Sequence, residues 1–155
     1  MAATRAHARI SGFGDSVFTR MSALARQHNA VNLGQGFPDF PGPDFVKQAA
    51  KRAIDADLNQ YAISSGAPRL KEQVAIDYSA ALGREIDPLR EVVVTNGATE
   101  AIFDAIQAFT GPGDEIVAFE PFYDSYPASA TMAGATFVPL RLNPPDWDFN
   151  PDEFA

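Results

Sequence analysis

A chain of 155 residues, 46% hydrophobic and 21% charged, has the make-up of a globular protein of about one domain, and no apolar run nears the roughly 18 residues of a membrane helix. A net charge of −8 argues against nucleic acid or an anionic membrane as partner, since both require a basic surface. The absence of cysteine excludes disulfides, thiolate metal sites and cysteine nucleophiles.

The first residues, MAATRAHARI, lack the apolar block of a signal peptide, so the expected location is cytoplasmic. Arg5, Arg9, Arg20 and Arg26 against the single early acid Asp15 give a faint likeness to a transit segment, the lesser alternative. Residues 1 to 30 are expected to form an irregular arm leading into a helix, with Val17, Phe18, Met21, Leu24 and Ala25 at helical spacing. Phe18 belongs either to that packing face or to a pocket wall. Val31 to Pro43, VNLGQGFPDFPGP, holds three glycines and three prolines, too many breakers for a regular element. A rigid loop is expected instead, in which Gly34 and Gly36 let a ligand approach the main chain.

Pro43 suits the first turn of a helix running through Phe45, Ala49, Ala53 and Ile54 to about Asp57. Leu58 to Gly66 is an unpatterned polar loop in which Tyr61 is either a surface residue or a phenol available to an anion. Pro68 opens the next helix, with Leu70, Val74, Tyr78 and Leu82 as its inner face and Gly83 as its stop. Lys47, Lys51 and Lys71, on these helices, are expected to be solvated.

Val92, Val93 and Val94 suit a strand buried in a parallel sheet, and Ile102, Ile106 and Phe109 mark the helix that follows. Asn96 and Gly97 make the turn between them. Taken alone, these residues are read most simply as a turn at Gly97 and a helix cap at Thr99. A second reading is an anion cup, because the first N–H groups of a helix lack intrahelical acceptors and carry partial positive charge. A turn at Gly111 to Asp114, a strand over Glu115 to Phe119, the aromatic segment Glu120 to Tyr126, a helix to Ala133, a turn at Gly134 and a strand over Thr136 to Leu140 complete the pattern. Alternating strands and helices predict an α/β fold with a mainly parallel sheet. Ligands of such sheets sit beyond the carboxyl ends of the strands, where Asn96 to Thr99 and Glu120 to Tyr126 both fall.

Asn150, Pro151, Asp152 and Glu153 form a helix start only a few residues before Ala155. One turn of helix does not hold itself together. The expectation is therefore that this is the amino-terminal piece of a longer protein, or a truncated product of one.

The ordered set NLGQGFPDFPGP, LNQYAISSGAPRLKE, VVVTNGATEA and AFEPFYDSY resembles the amino-terminal part of class I/II aminotransferases, pyridoxal-phosphate enzymes of fold type I. GQGFPDF and EPFYDSY look most like the kynurenine and methionine aminotransferase branch. The resemblance runs over about residues 10 to 153, and four motifs in order are far more specific than one. It implies a large domain with a mainly parallel seven-stranded sheet and a small domain built from both ends of the chain. Residues 1–43 would then be the arm, helix and glycine-rich substrate loop of the small domain, and 44–155 an incomplete cofactor-binding large domain.

The resemblance further implies that Gly97, Ala98 and Thr99 cup the cofactor phosphate and that Tyr123 stacks on its pyridine ring, where some relatives have phenylalanine. It implies that Tyr61 reaches the phosphate of the neighbouring subunit in a homodimer, that Gly36 lies beside the substrate carboxylate and that Phe18 covers the substrate side chain. Phe18, Phe37, Phe40 and Tyr126 hint at a pocket for large or sulfur-containing side chains, or pack internally. The implied reaction transfers an amino group between an amino acid and a 2-oxo acid. The family's Schiff-base lysine, its pyridine-nitrogen aspartate, its asparagine at the phenolic oxygen and its substrate arginine all fall farther along than these residues, so this chain alone is not expected to transaminate. The alternatives are a cysteine-conjugate β-lyase of the same family and a non-catalytic truncated or split-gene product. A dinucleotide-binding domain is weaker still, since no GxGxxG follows the first strand.

Overall fold

The computed structural model describes residues 9–36 and 38–154. Its elements are α1 (Val17–Gln27), α2 (Asp44–Asp55), α3 (Pro68–Leu82), α4 (Gly97–Phe109), β1 (Glu115–Glu120), α5 (Ser125–Ala133), β2 (Thr136–Arg141) and a 3-10 turn, Pro151–Glu153. They fall into two compact units, one of residues up to Gly34 together with Asn96 onward, the other Gln35–Thr95.

In the first unit β1 and β2 pair in parallel, with Glu115 opposite Thr136 and Glu120 opposite Arg141. Parallel neighbours need a crossover, and α5 supplies it. Gly134 ends that helix at φ +83, the left-handed conformation that glycine adopts without a side-chain clash, and its N–H bonds back into the last turn of α5. Ala130 of α5 and Leu140 of β2 are buried, and α5 also packs on α4, where Gln107 Nε2 donates to the Ser129 carbonyl at 3.2 Å. Phe122 meets Phe137 edge-on at 4.7 Å between ring centres, and Phe119 lies 5.2 Å from Phe149. Ahead of α1 the Ser16 hydroxyl accepts from the Thr19 N–H, and Arg9 Nη1 donates to the Met132 carbonyl at 3.2 Å. The apolar stripe of α1 does not form the expected packing face: Val17, Met21 and Leu24 are exposed and no residue of the helix is fully buried. The helix start at Asn150 produces only the 3-10 turn, with Asn150 Oδ1 accepting from the Asp152 N–H.

The second unit holds α2, α3 and the valine run. Its small core is Ala75, Ile86 and Val92, with Val74 packed against them. Two expectations are corrected here. The inner face of α3 lies about one residue to the side of the predicted stripe: Lys71 and Ala75 are buried, whereas Leu70, Tyr78 and Leu82 are exposed. Lys71 is therefore not a solvated surface residue. Val92 to Val94 also form no strand, because no described residue pairs with them as a ladder; Val92 is buried, Val93 and Val94 are exposed, and the Val94 N–H makes a single bond to the Ser65 carbonyl at 3.0 Å. β-branched side chains favour a strand only where a neighbouring backbone supplies the ladder.

The connection into that run is closed by Glu91. Its carboxylate accepts from the Asp87 N–H and from Arg84 Nη1, each at 2.8 Å, and these two partners hold its pKa below the ordinary 4.5. A carboxyl whose folded pKa is depressed adds stability above its unfolded value, and that stability disappears as pH falls through the lowered value. Glu91→Gln is accordingly expected to lessen the acid sensitivity of unfolding below about pH 4.5 while changing little at pH 7 beyond a constant offset. Melting temperatures of the two proteins followed from pH 7 to pH 3 check this; curves that stay parallel throughout would contradict it.

Candidate functional site

The candidate site is built at the start of α4 and the end of β1. Gly97 opens α4 at φ +85, a conformation that side chains rarely adopt, and a Cβ there would meet nothing within 4 Å. The turn thus leaves space over the first turn of the helix, where the amides of Ala98 and Thr99 have no intrahelical carbonyl to bond. Asn96 supplies no side-chain cap. The Glu100 carboxylate instead reaches back to accept from the Asn96 N–H, which fixes the turn and places an acid near the positive helix end.

β1 ends at Glu120, and Pro121 carries the chain off the ladder into Phe122 and Tyr123. The Tyr123 hydroxyl comes to 3.3 Å of Thr99 Oγ1, with either group able to donate. Tyr123 also meets Tyr126 edge-on, 5.9 Å between ring centres. A hydroxyl, first-turn amides and an aromatic face thus stand side by side where a parallel strand ends, a donor set suited to a ligand that joins a phosphate to a planar ring.

The residues expected to matter are distributed unevenly. Gly97, Ala98, Thr99 and Tyr123 come together. Phe18, on α1, is half-buried and belongs to the same unit. Gly36 and Tyr61 lie in the other unit; Tyr61 is fully exposed, and a Cβ on Gly36 would meet nothing within 4 Å. Phe40 is exposed and Tyr126 half-buried, while Phe37 lies outside the described residues. Two residues were not read from sequence as part of a site, and Lys71 was expected to be solvated. Glu100 had a legible signal, an acid one turn after Asn96; Lys71 had none.

The sequence pattern of aminotransferase class I and II matches residues 28–154, most of the chain. The chain belongs to the class I and II aminotransferases. Its relatives in this aminotransferase family include the methionine aminotransferase of Escherichia coli K12, 39% identical over 95% of this chain, and human kynurenine–oxoglutarate transaminase 1, 41% identical over 95%. The N-succinyldiaminopimelate aminotransferase of Mycobacterium tuberculosis superposes on 97% of the chain with a TM-score of 0.86 and 42% identity, covering 40% of that structure. The chain spans about 38% of the length of the two curated relatives. Solved aminotransferases of fold type I share its α/β arrangement with parallel strands. Enzymes of this family use pyridoxal phosphate, act on amino acids and 2-oxo acids and are typically dimeric. Among the described residues no helix is long and apolar enough to cross a membrane, and no group of acidic or histidine side chains is arranged to hold a metal ion.

Proposed function

We propose that this chain is the amino-terminal, cofactor-holding portion of a pyridoxal-phosphate aminotransferase that moves an amino group between an amino acid and a 2-oxo acid in the cytoplasm. Gly97 and Ala98 offer main-chain N–H groups to the cofactor phosphate, and Thr99 offers an N–H and its hydroxyl. Tyr123 lies against the pyridine ring. In a homodimer Tyr61 reaches the phosphate bound by the neighbouring subunit, while Gly36 and Phe18 flank the substrate carboxylate and side chain. Residues 1–43 belong to the small domain and 44–155 to the large one. When bound, the cofactor supplies the electron sink for chemistry at the substrate α-carbon, and the residues of this chain hold and orient it. The names of the relatives, methionine and kynurenine aminotransferases, favour substrates with sulfur-containing or aromatic side chains.

Support comes chiefly from the 3.3 Å approach of Thr99 Oγ1 to the Tyr123 hydroxyl at the first turn of α4, which puts an anion donor beside an aromatic ring. The test is made on the full-length protein: a visible absorbance titration with pyridoxal phosphate, followed by assays of methionine or kynurenine against 2-oxo acids. Saturable cofactor binding with acceptor-dependent turnover is expected. A protein that binds no pyridoxal phosphate would refute the assignment, and pyruvate released from a cysteine S-conjugate without any oxo acid would redirect it to a β-lyase.

A further inference from the structure

Among the described residues Lys71 is the one charged side chain that is buried, 3% exposed, and none of their carboxylates lies within ion-pair distance of it. Its ammonium donates to Ser65 Oγ at 3.0 Å and approaches the Leu89 carbonyl at 3.5 Å. An ammonium taken out of water on neutral acceptors alone is expensive to hold, and an apolar residue in its place would pack without that penalty. The two acceptors are informative. Ser65 lies in the turn closed by the Gly66 N–H on the Ile63 carbonyl at 2.8 Å, and its own carbonyl takes the Val94 N–H at 3.0 Å. Leu89 lies in the turn of residues 87–91, which leads into Val92. Lys71 therefore bridges the two turns that border the valine run. Val94 precedes Asn96 by two residues, and Tyr61 precedes Ser65 by four.

We propose that Lys71 is a positioning residue for the phosphate site: through Ser65 it fixes both the loop that carries Tyr61 and the segment that enters the turn before Thr99. This role rests on the cofactor assignment made above. Without the ammonium, Ser65 keeps one anchor instead of two, the Val94 to Ser65 bond opens more often, and the loop that carries Tyr61 and the segment that leads into Asn96 each lose their fixed starting point.

The experiment uses the full-length protein with Lys71→Met, Lys71→Arg and Ser65→Ala, reading amide hydrogen exchange at Val94 and the dissociation constant for pyridoxal phosphate. Lys71→Met is expected to speed Val94 exchange and raise the dissociation constant, each by about tenfold, the scale of a lost hydrogen bond to a charged group. Lys71→Arg, which keeps the charge and the donors, should restore most of both, and Ser65→Ala should reproduce the direction of the Met variant. Unchanged exchange in Lys71→Met, or faster exchange with wild-type affinity, overturns the proposal. If the Met variant does not fold, Ser65→Ala decides by the same two readings. A wild-type protein that fails to bind pyridoxal phosphate defeats the cofactor assignment instead, a result separate from the exchange readout.

Discussion

Gly66→Ala is expected to destabilise the protein by about 3 kcal/mol, the combined scale of a residue forced into the left-handed region and of an overpacked contact. Gly66 stands at φ +110, and a Cβ built on it lies 2.4 Å from Val94 Cγ2 and 2.7 Å from Val94 Cβ. Neither atom is the loose end of a long side chain, since valine has a single side-chain torsion and its β-carbon moves only with the backbone. Relief therefore requires shifting Val94 itself, which breaks the Val94 N–H bond to the Ser65 carbonyl. Gly42→Ala is the matched control. Its Cβ meets nothing within 4 Å and its φ is not positive, so it should change stability by less than about 0.5 kcal/mol. Chemical denaturation of the two variants beside the wild type makes the comparison, and equal midpoints for both would show that the close approach of Gly66 to Val94 is not structural.

The same neighbourhood marks where sequence reasoning reached its limit. Helices α2, α3 and α4 were legible because proline or asparagine opens each and apolar residues recur at helical spacing. Gly83 and Gly134 stopped their helices because each sits at positive φ, where glycine is favoured. The β1, α5, β2 succession was legible because two short β-branched runs flanked a helical segment, and parallel pairing follows from a crossover of that length. The inner face of α3 was not legible. Leu70, Val74, Tyr78 and Leu82 define a stripe, but adjacent stripes differ by only about 100° of rotation, and the cover comes from Ile86 and Val92, residues outside the helix. Those neighbours turned Ala75 inward, and Lys71, one turn earlier, reaches Ser65 and the Leu89 carbonyl. Composition also gave no warning of a buried lysine, because lysine is almost always solvated and the two acceptors that hold it are a serine and a main-chain carbonyl. The valine run illustrates a related limit, since a strand is a property of two chains of backbone and only one of them can be read from its own residues.

At the candidate site the motif residues were legible one by one, but their juxtaposition was not. Thr99 and Tyr123 are 24 positions apart, and only the geometry joins the helix start to the end of β1. Glu100 adds a further element, since an acid at the positive helix end holds the Asn96 N–H and also opposes a bound anion. The cup thus relies on its remaining donors, which makes the loss of one of them expensive.

Thr99→Val should raise the dissociation constant for pyridoxal phosphate by about 10- to 100-fold in the full-length protein, since a hydrogen bond to a charged group contributes roughly 1.5–3 kcal/mol. Valine matches threonine in shape and branching, so the helix start and its amides are retained and only the hydroxyl is lost. Thr99→Ser, which keeps the hydroxyl, should stay within about threefold of wild type. Tyr123→Phe tests the partner group: the ring remains for stacking, while the phenol that touches Thr99 Oγ1 is removed. If the phenol acts by orienting the threonine hydroxyl, its loss should cost a smaller factor alone and almost nothing in a Thr99→Val background, because residues acting through one another are not additive. Cofactor titrations of the four proteins and of the double variant, repeated with inorganic phosphate as competitor, separate phosphate binding from ring stacking. A Thr99→Ser protein as weak as Thr99→Val would remove the hydroxyl from the phosphate site, and fully additive effects of Thr99→Val and Tyr123→Phe would mean that the two groups act on the cofactor independently.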